Sequence, residues 1–282
     1  MEALEVRIGE LTFSGLAAGP SDGDVVMLLH GFPQTARAWQ WQLPRLAKAG
    51  FRAVAPDLRG FSDGARPTDT ESYGLAETAA DVLSIAAELG ASSFHLAGHD
   101  LGGILAWELA CRHPDTVSTL TVASTPHLAA FGAALLTDKD GQRLPPFELF
   151  RQPGTAEQLL LADDAAVLRQ AYAGIPPEAV EEYVRSFTAP GVLSAALAYF
   201  RMFDFQSWLE LPASIVPTLF VWGRDDPFLD PSTAAATRGH VTGSYREAAL
   251  EGIGHWVPEL ADELVGELLL EQLTLRAGPI RG

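Results

Sequence analysis

The stretch Gly98-His99-Asp100-Leu101-Gly102-Gly103, following the apolar run Phe94-His95-Leu96-Ala97, constrains the fold of this chain more than any other. An apolar run, a tight turn of small residues and a helix-like segment from Ile104 to Cys111 read as strand, sharp bend and helix. Such a bend exposes its middle residue at the end of a sheet strand. Its familiar form, G-x-S-x-G, carries a serine, but here the middle residue is Asp100. A carboxylate at that point attacks an electrophilic carbon and leaves an alkyl ester on the protein, so water must finish the reaction.

The surrounding pattern alternates between strand and helix. Leu4-Val6-Ile8 and Leu11-Phe13 read as a hairpin around Gly9-Glu10, and Val25 to Leu29 as a strand buried on both faces. A helix is expected from Trp39 to Ala49 and another from Leu75 to Leu89, each closed by glycine, with a strand at Arg52 to Ala55 between them. Phe94 to Ala97 and Val117 to Ala123 supply two further buried strands. From about Thr125 to Leu211 the rhythm breaks into helical fragments punctuated by Pro145-Pro146, Pro176-Pro177 and Pro190-Gly191. Strands resume at Thr218 to Trp222 and Tyr245 to Leu250, and a closing helix runs from about Glu259 to Leu273. The expected class is α/β, with a mostly parallel, doubly wound sheet. Residues 1–124 and 212–282 would form the core domain, and residues 125–211 an inserted helical cap.

Nucleophilic catalysis also needs a base, an acid to orient it and a site for negative charge. Gly223-Arg224-Asp225-Asp226-Pro227 follows the strand ending at Trp222, and Gly252-Ile253-Gly254-His255-Trp256 follows the one ending at Leu250. Asp100, an aspartate and His255 therefore succeed one another at strand ends, in the order nucleophile, acid, histidine. Either Asp225 or Asp226 could be the acid; the W-G-x-x-D spacing favours Asp226. His30-Gly31-Phe32-Pro33 ends the Val25 strand, and the backbone N–H groups of Phe32 and Leu101 are candidates for the anion site. His30 is expected to brace that loop and His99 the turn, while His127 opens the insertion as a candidate pocket residue. His95 reads as structural, and His113 as the end of a helix. The seven histidines show no metal-ligand spacing, and no phosphate-binding loop is present, so neither metal nor cofactor is expected.

The formal net charge of −17, from 19 basic and 36 acidic residues, repels nucleic acid and anionic lipid. No stretch has the length of apolar residues that a membrane helix needs, and the start of the chain lacks the pattern of a secretory signal. The single cysteine, Cys111, excludes an internal disulfide and reads as a small buried helix residue. A cytoplasmic protein, monomer or homodimer, is expected.

Seven segments carry a resemblance: His30-Gly31-Phe32-Pro33-Gln34-Thr35, Pro56-Asp57-Leu58-Arg59-Gly60, Gly98 to Gly103, Thr125-Pro126-His127, Phe150-Arg151-Gln152-Pro153-Gly154, Trp222 to Pro227 and Gly254-His255-Trp256. With these the chain resembles, over nearly its whole length, the epoxide hydrolase branch of the α/β-hydrolase superfamily. The resemblance implies that Asp100 opens an epoxide, and that His255, oriented by Asp226, activates water to release a diol. In similar enzymes two cap tyrosines protonate the alkoxide, and both are missing here. The corresponding positions are Pro146 and Phe200, with Tyr199 one residue away, while Tyr172 and Tyr183 read as packing residues. Leu101 stands where a tryptophan is frequent. The implied pocket, with His30, His127, Pro146, Phe147, Phe150, Tyr199, Phe200 and Trp256, is apolar and suits a small apolar organic substrate and water.

The missing proton donors leave three sources open: an acidic group on the substrate, His127, or a shifted Tyr199. A haloalkane-type dehalogenase is the alternative, although the Leu101 side chain offers a departing halide no N–H of the kind a tryptophan there would. A repurposed fold, either a biosynthetic enzyme or a binding protein, is a further alternative.

Overall fold

The apolar run Val25–Leu29 forms a fully buried strand inside an eight-stranded sheet, as two covered faces require. A computed structural model describes residues 1–138 and 144–275. The chain opens with β1 (Glu2–Ile8), β2 (Leu11–Ala18) and β3 (Val25–Leu29), then α1 (Gln42–Lys48), β4 (Arg52–Pro56) and α2 (Leu75–Glu88). Next come β5 (Phe94–His99), α3 (Leu101–Arg112) and β6 (Val117–Ala123). A wholly helical stretch follows: α4 (Leu128–Leu136), α5 (Leu144–Phe150), α6 (Thr155–Ala171), α7 (Pro177–Thr188), α8 (Val192–Met202) and α9 (Phe205–Trp208). The sheet resumes with β7 (Thr218–Gly223), α10 (Pro231–Ala236) and β8 (Tyr245–Leu250), before α11 (Val257–Leu260) and α12 (Asp262–Leu273).

The strand order is β1-β2-β4-β3-β5-β6-β7-β8. The β1–β2 and β2–β4 pairs are antiparallel and all the others parallel. From β3 the chain steps to β4 on one side, then to β5 on the other. The winding therefore reverses between β3 and β5, and a crevice opens beyond their carboxyl ends. Leu43 and Leu46 of α1 join Leu269 and Leu273 of α12 over one face, against Val26, Leu28 and Val221. Val82 and Ile85 of α2, with Leu105 and Leu109 of α3, cover Met27, Leu96 and Val122 on the other.

Two expected helices have different limits. The Trp39 helix is a 3-10 turn at Ala36–Trp39 followed by α1, which starts only at Gln42. The closing helix is two helices, because the backbone leaves helical geometry at Ala261 (φ −129°, ψ 39°). Asp262 and Glu263 then favour a new helix start there through their charge.

No strand occurs between β6 and β7 among the described residues. Within that insertion α6 bends at residues 162–165, where Asp163, Asp164 and Ala165 have positive φ. Specific polar links tie it to the sheet side. Tyr199 Oη donates to Arg59 O at 3.0 Å, Tyr172 Oη to Pro33 O, and Trp256 Nε1 to Ala171 O at 2.9 Å. Arg37 and Glu182 pair at 2.6 Å. No described helix is long and apolar enough to cross a membrane.

Candidate active site

Glycine at two positions lets α3 start against the sheet. A Cβ on Gly98 would lie 2.1 Å from the carbonyl oxygen of Gly102, and one on Gly102 would lie 2.3 Å from that of Leu29. Asp100, between them, has φ 50° and ψ −117°, a strained conformation for a residue with a side chain. The turn is held by Thr125 Oγ1 and Ile104 N, each donating to Asp100 O at 3.0 Å.

This bend presents the Asp100 carboxylate to the crevice. Phe32 N donates to Oδ1 at 2.7 Å, and His255 Nε2 lies 3.4 Å from Oδ2. On the other side of the imidazole, Nδ1 meets Asp226 Oδ2 at 2.8 Å, while Phe228 N donates to Asp226 Oδ1 at 2.8 Å. The spacing therefore resolves to Asp226, which is buried; Asp225 is exposed, and its backbone N–H donates to Ile253 O. Of the two amides expected at the anion site, that of Phe32 makes the contact. Among the described residues Leu101 N–H makes none to the carboxylate, although Leu101 is part of the cavity lining.

The charges reinforce one another. Burial pushes the Asp100 carboxyl up, but His255, His99 and the Phe32 N–H outweigh it and hold the group below its usual range. Burial likewise opposes charge on His255, yet Asp226 and Asp100 together raise it to about 10. Set between Asp100 and Asp226, the His255 imidazole is thus biased toward its protonated form.

Above Asp100 lies a cavity of about 410 Å³. Phe32, Leu101 and Trp256 line its sheet side, and Pro146, Phe147, Phe150 and Phe200 its insertion side. Phe131, Leu168 and Phe228, which the sequence did not single out, complete the apolar wall. Its few other polar side chains have spent their hydrogens on backbone: Ser124 Oγ on His255 O, Thr125 Oγ1 on Asp100 O, and Trp256 Nε1 on Ala171 O.

Three expected pocket residues lie off this wall. His30 is wholly buried behind the loop, its Nδ1 at 2.9 Å from Gly31 O and its Nε2 accepting from Leu58 N at 3.0 Å. His127 caps α4 through Ala129 N and stacks on His240 at 4.8 Å. Tyr199 points away, its ring beside Tyr73 and its hydroxyl on Arg59 O. Since α8 buries Phe200 against Phe32 and Phe150, its neighbour Tyr199 turns to another side, as helical geometry demands. Tyr172, Tyr183, Tyr73 and Tyr245 also have hydroxyl partners elsewhere, so none of the five tyrosines lines the cavity. Neither His127 nor Tyr199 can therefore protonate a group above Asp100.

The sequence reading gave no role to Ser124, which holds the His255 carbonyl, or to Gln34 and Glu259, which lie behind His99. Ser124 does follow directly on the end of β6, the strand next to the elbow. Nothing in the local pattern signals Glu259.

A family model described as alpha/beta hydrolase fold matches residues 24–175. Epoxide hydrolase 4 of Mus musculus is 31% identical, over 95% of this chain and 79% of its own length. Epoxide hydrolase A of Mycobacterium tuberculosis is 29% identical over 91% of this chain and 92% of its own. Among solved structures, epoxide hydrolase A from Mycobacterium thermoresistibile superimposes with a TM-score of 0.84 at 25% identity, covering 96% of this chain and 98% of that one. The chain belongs to the α/β-hydrolase family and, within it, is epoxide hydrolase-like.

Proposed function

We propose that this protein opens epoxides on small apolar molecules through an ester formed on Asp100, with residues 125–211 serving as the cap over the site. The observation that carries the reading is the carboxylate itself. Its Oδ1 is held by Phe32 N–H and its Oδ2 faces His255, under a wall of aromatic and aliphatic side chains. Such a wall binds hydrocarbon by excluding water and strengthens the charges beneath it.

In the first step Oδ2 bonds to an oxirane carbon as the bond from that carbon to the ring oxygen breaks. The released oxygen takes its proton from the His255 imidazolium, the group on the described wall charged for that task. Neutral His255 next removes a proton from water, whose oxygen adds to the ester carbonyl, and the resulting oxyanion rests on Phe32 N–H. Collapse breaks the bond from the acyl carbon to the alkyl oxygen, which takes a proton back from His255. The proton on the regenerated Asp100 carboxyl then returns to the imidazole. Epoxide and water become diol, and the resting charges are restored.

A dehalogenase has less support. The one indole lining the wall, Trp256, already gives its N–H to Ala171 O.

Single-turnover reaction in ¹⁸O-water with a panel of aryl and alkyl epoxides tests the proposal, read as the mass of the Asp100 peptide. Label in that peptide together with diol is the expected outcome. Diol without label, or no turnover of any epoxide, overturns it, and halide release from haloalkanes instead would establish the other ester chemistry.

A further inference from the structure

A buried polar chain runs behind the site and ends at a carboxyl group that the proposed reaction does not use. His99 Nε2 lies 2.9 Å from the carbonyl oxygen of His255, and its Nδ1 lies 2.9 Å from Gln34 Oε1. Gln34 Nε2 meets Glu259 Oε2, and Tyr183 Oη donates to Glu259 Oε1 at 3.1 Å. His99 and Gln34 are wholly buried.

The hydrogens in this chain can be counted from its fixed end. A carbonyl oxygen only accepts, so His99 Nε2 must carry a hydrogen. Burial and the neighbouring His255 hold the His99 imidazole down at about 4, so at neutral pH its Nδ1 is a bare lone pair. That lone pair requires the NH₂ end of Gln34, so the amide takes the turned-over orientation, with Nε2 toward His99 and Oε1 toward Glu259, because the two ends of an amide are told apart only by their partners. The amide oxygen then faces Glu259 Oε2. Two acceptors repel unless one carries a proton, and an amide oxygen does not. The hydrogen therefore sits on Glu259, where Oε2–H donates to Gln34 and Oε1 still accepts from Tyr183.

We propose that Glu259 is a carboxylic acid in the resting protein and a positioning residue for His255, acting through Gln34 and His99. When Glu259 loses its proton to solvent, the carboxylate draws the NH₂ of Gln34 toward itself. The Gln34 oxygen then opposes the His99 lone pair, and the chain opens at that link. The support under the His255 carbonyl weakens, while Ser124 remains on it. The neighbouring groups are consistent with a proton held this tightly. Burial raises the Glu259 carboxyl to about 7, against the pull of Tyr183 and Arg37. Arg37 is itself paired with Glu182, and Tyr172 is the other phenol in the field of Glu259.

The proposal rests on His255 acting as in the reaction above, but its main test needs no substrate. Difference infrared titration of the resting protein should show a carboxylic-acid C=O band that disappears near pH 7 and is absent in Glu259→Gln. Gln at 259 can keep the chain closed, with its NH₂ on Gln34 and its oxygen under Tyr183. Wild-type kcat on the best epoxide should fall roughly threefold to tenfold through this pH range, as expected when one buried hydrogen bond is lost. KM should hold steady, and Glu259→Gln should lack the fall. The fold binds this proton more tightly than the unfolded chain, so wild-type Tm should decline from about pH 4.5 to about 7 relative to Glu259→Gln. If that variant fails to fold, Tyr183→Phe serves instead: losing a donor to the carboxylate must move the band's midpoint upward. A band titrating in the ordinary carboxylate range, or identical pH profiles in wild type and Glu259→Gln, overturns the proposal. Absence of epoxide turnover with the band intact would count against the reaction alone.

Discussion

The floor and the roof of the site are built on opposite principles. On the floor Asp100, His255, Asp226 and Phe32 N–H form a continuous set of charge-assisted contacts between 2.7 and 3.4 Å. The roof, from the insertion, presents Pro146, Phe147, Phe150 and Phe200, with no side-chain hydroxyl or N–H aimed down among the described residues. A hydrolase that develops negative charge on both the acyl oxygen and the departing oxygen would gain from donors on both sides. In the proposed reaction the floor would supply both protons and charge stabilisation, and the roof shape and dryness. The roof's ring packing, such as Phe200 at 4.9 Å from Phe150 and 5.2 Å from Phe32, favours burying hydrocarbon over binding a charged leaving group.

The contrast can be broken from either side. The largest effect should come from the floor: Asp100→Asn should lower epoxide turnover by on the order of 10⁴-fold and abolish labelling of the peptide, with Tm near that of wild type. Equal turnover would mean that the floor does not hold the nucleophile. Next, Phe200→Tyr adds a hydroxyl to the roof. Opening of the epoxide, read as the pre-steady-state burst, should accelerate about tenfold or more, as general acid catalysis allows. No acceleration would mean that the departing oxygen does not point at α8. Tyr199→Phe should have the smallest effect. It removes one hydrogen bond to Arg59 O, worth about 1 kcal/mol of stability, and should leave kcat unchanged. A large loss of kcat would return Tyr199 to the site.

The two halves also differed in how readily they could be read from the sequence. Floor residues follow the ends of strands that are continuous apolar runs, and each strand carries its own short turn motif. Gly98, Asp100 and Gly102 are recognisable because the close approach of α3 to β3 and β5 excludes any Cβ at the glycines. The roof has no such local signature. Whether Phe200 or Tyr199 faces the cavity depends on the rotation of α8 about its axis, which is set by contacts with Phe32 and Phe150 far away in the chain. His30, expected to brace its loop, and His127, which opens the insertion, were both also counted among the pocket residues. The structure turns both inward, where their ring nitrogens serve backbone groups. The closing helix was read as continuous because its apolar pattern does not change where the backbone breaks at Ala261.

By itself the sequence determined the alternation of strands and helices, the point where the helical insertion enters, and the order of the elbow aspartate, the acid and the histidine. These are properties of neighbouring residues, and hydrophobic period and glycine placement encode them directly. Only the tertiary structure decided that Asp226 rather than Asp225 meets His255, that no tyrosine reaches the cavity, and that Glu259 stands behind His99. Each of those depends on distances between residues far apart in sequence and on which side of an element a side chain leaves. Packing sets both, so an aspartate that the elbow makes conspicuous still took its acid partner and its hydrocarbon roof from remote parts of the chain.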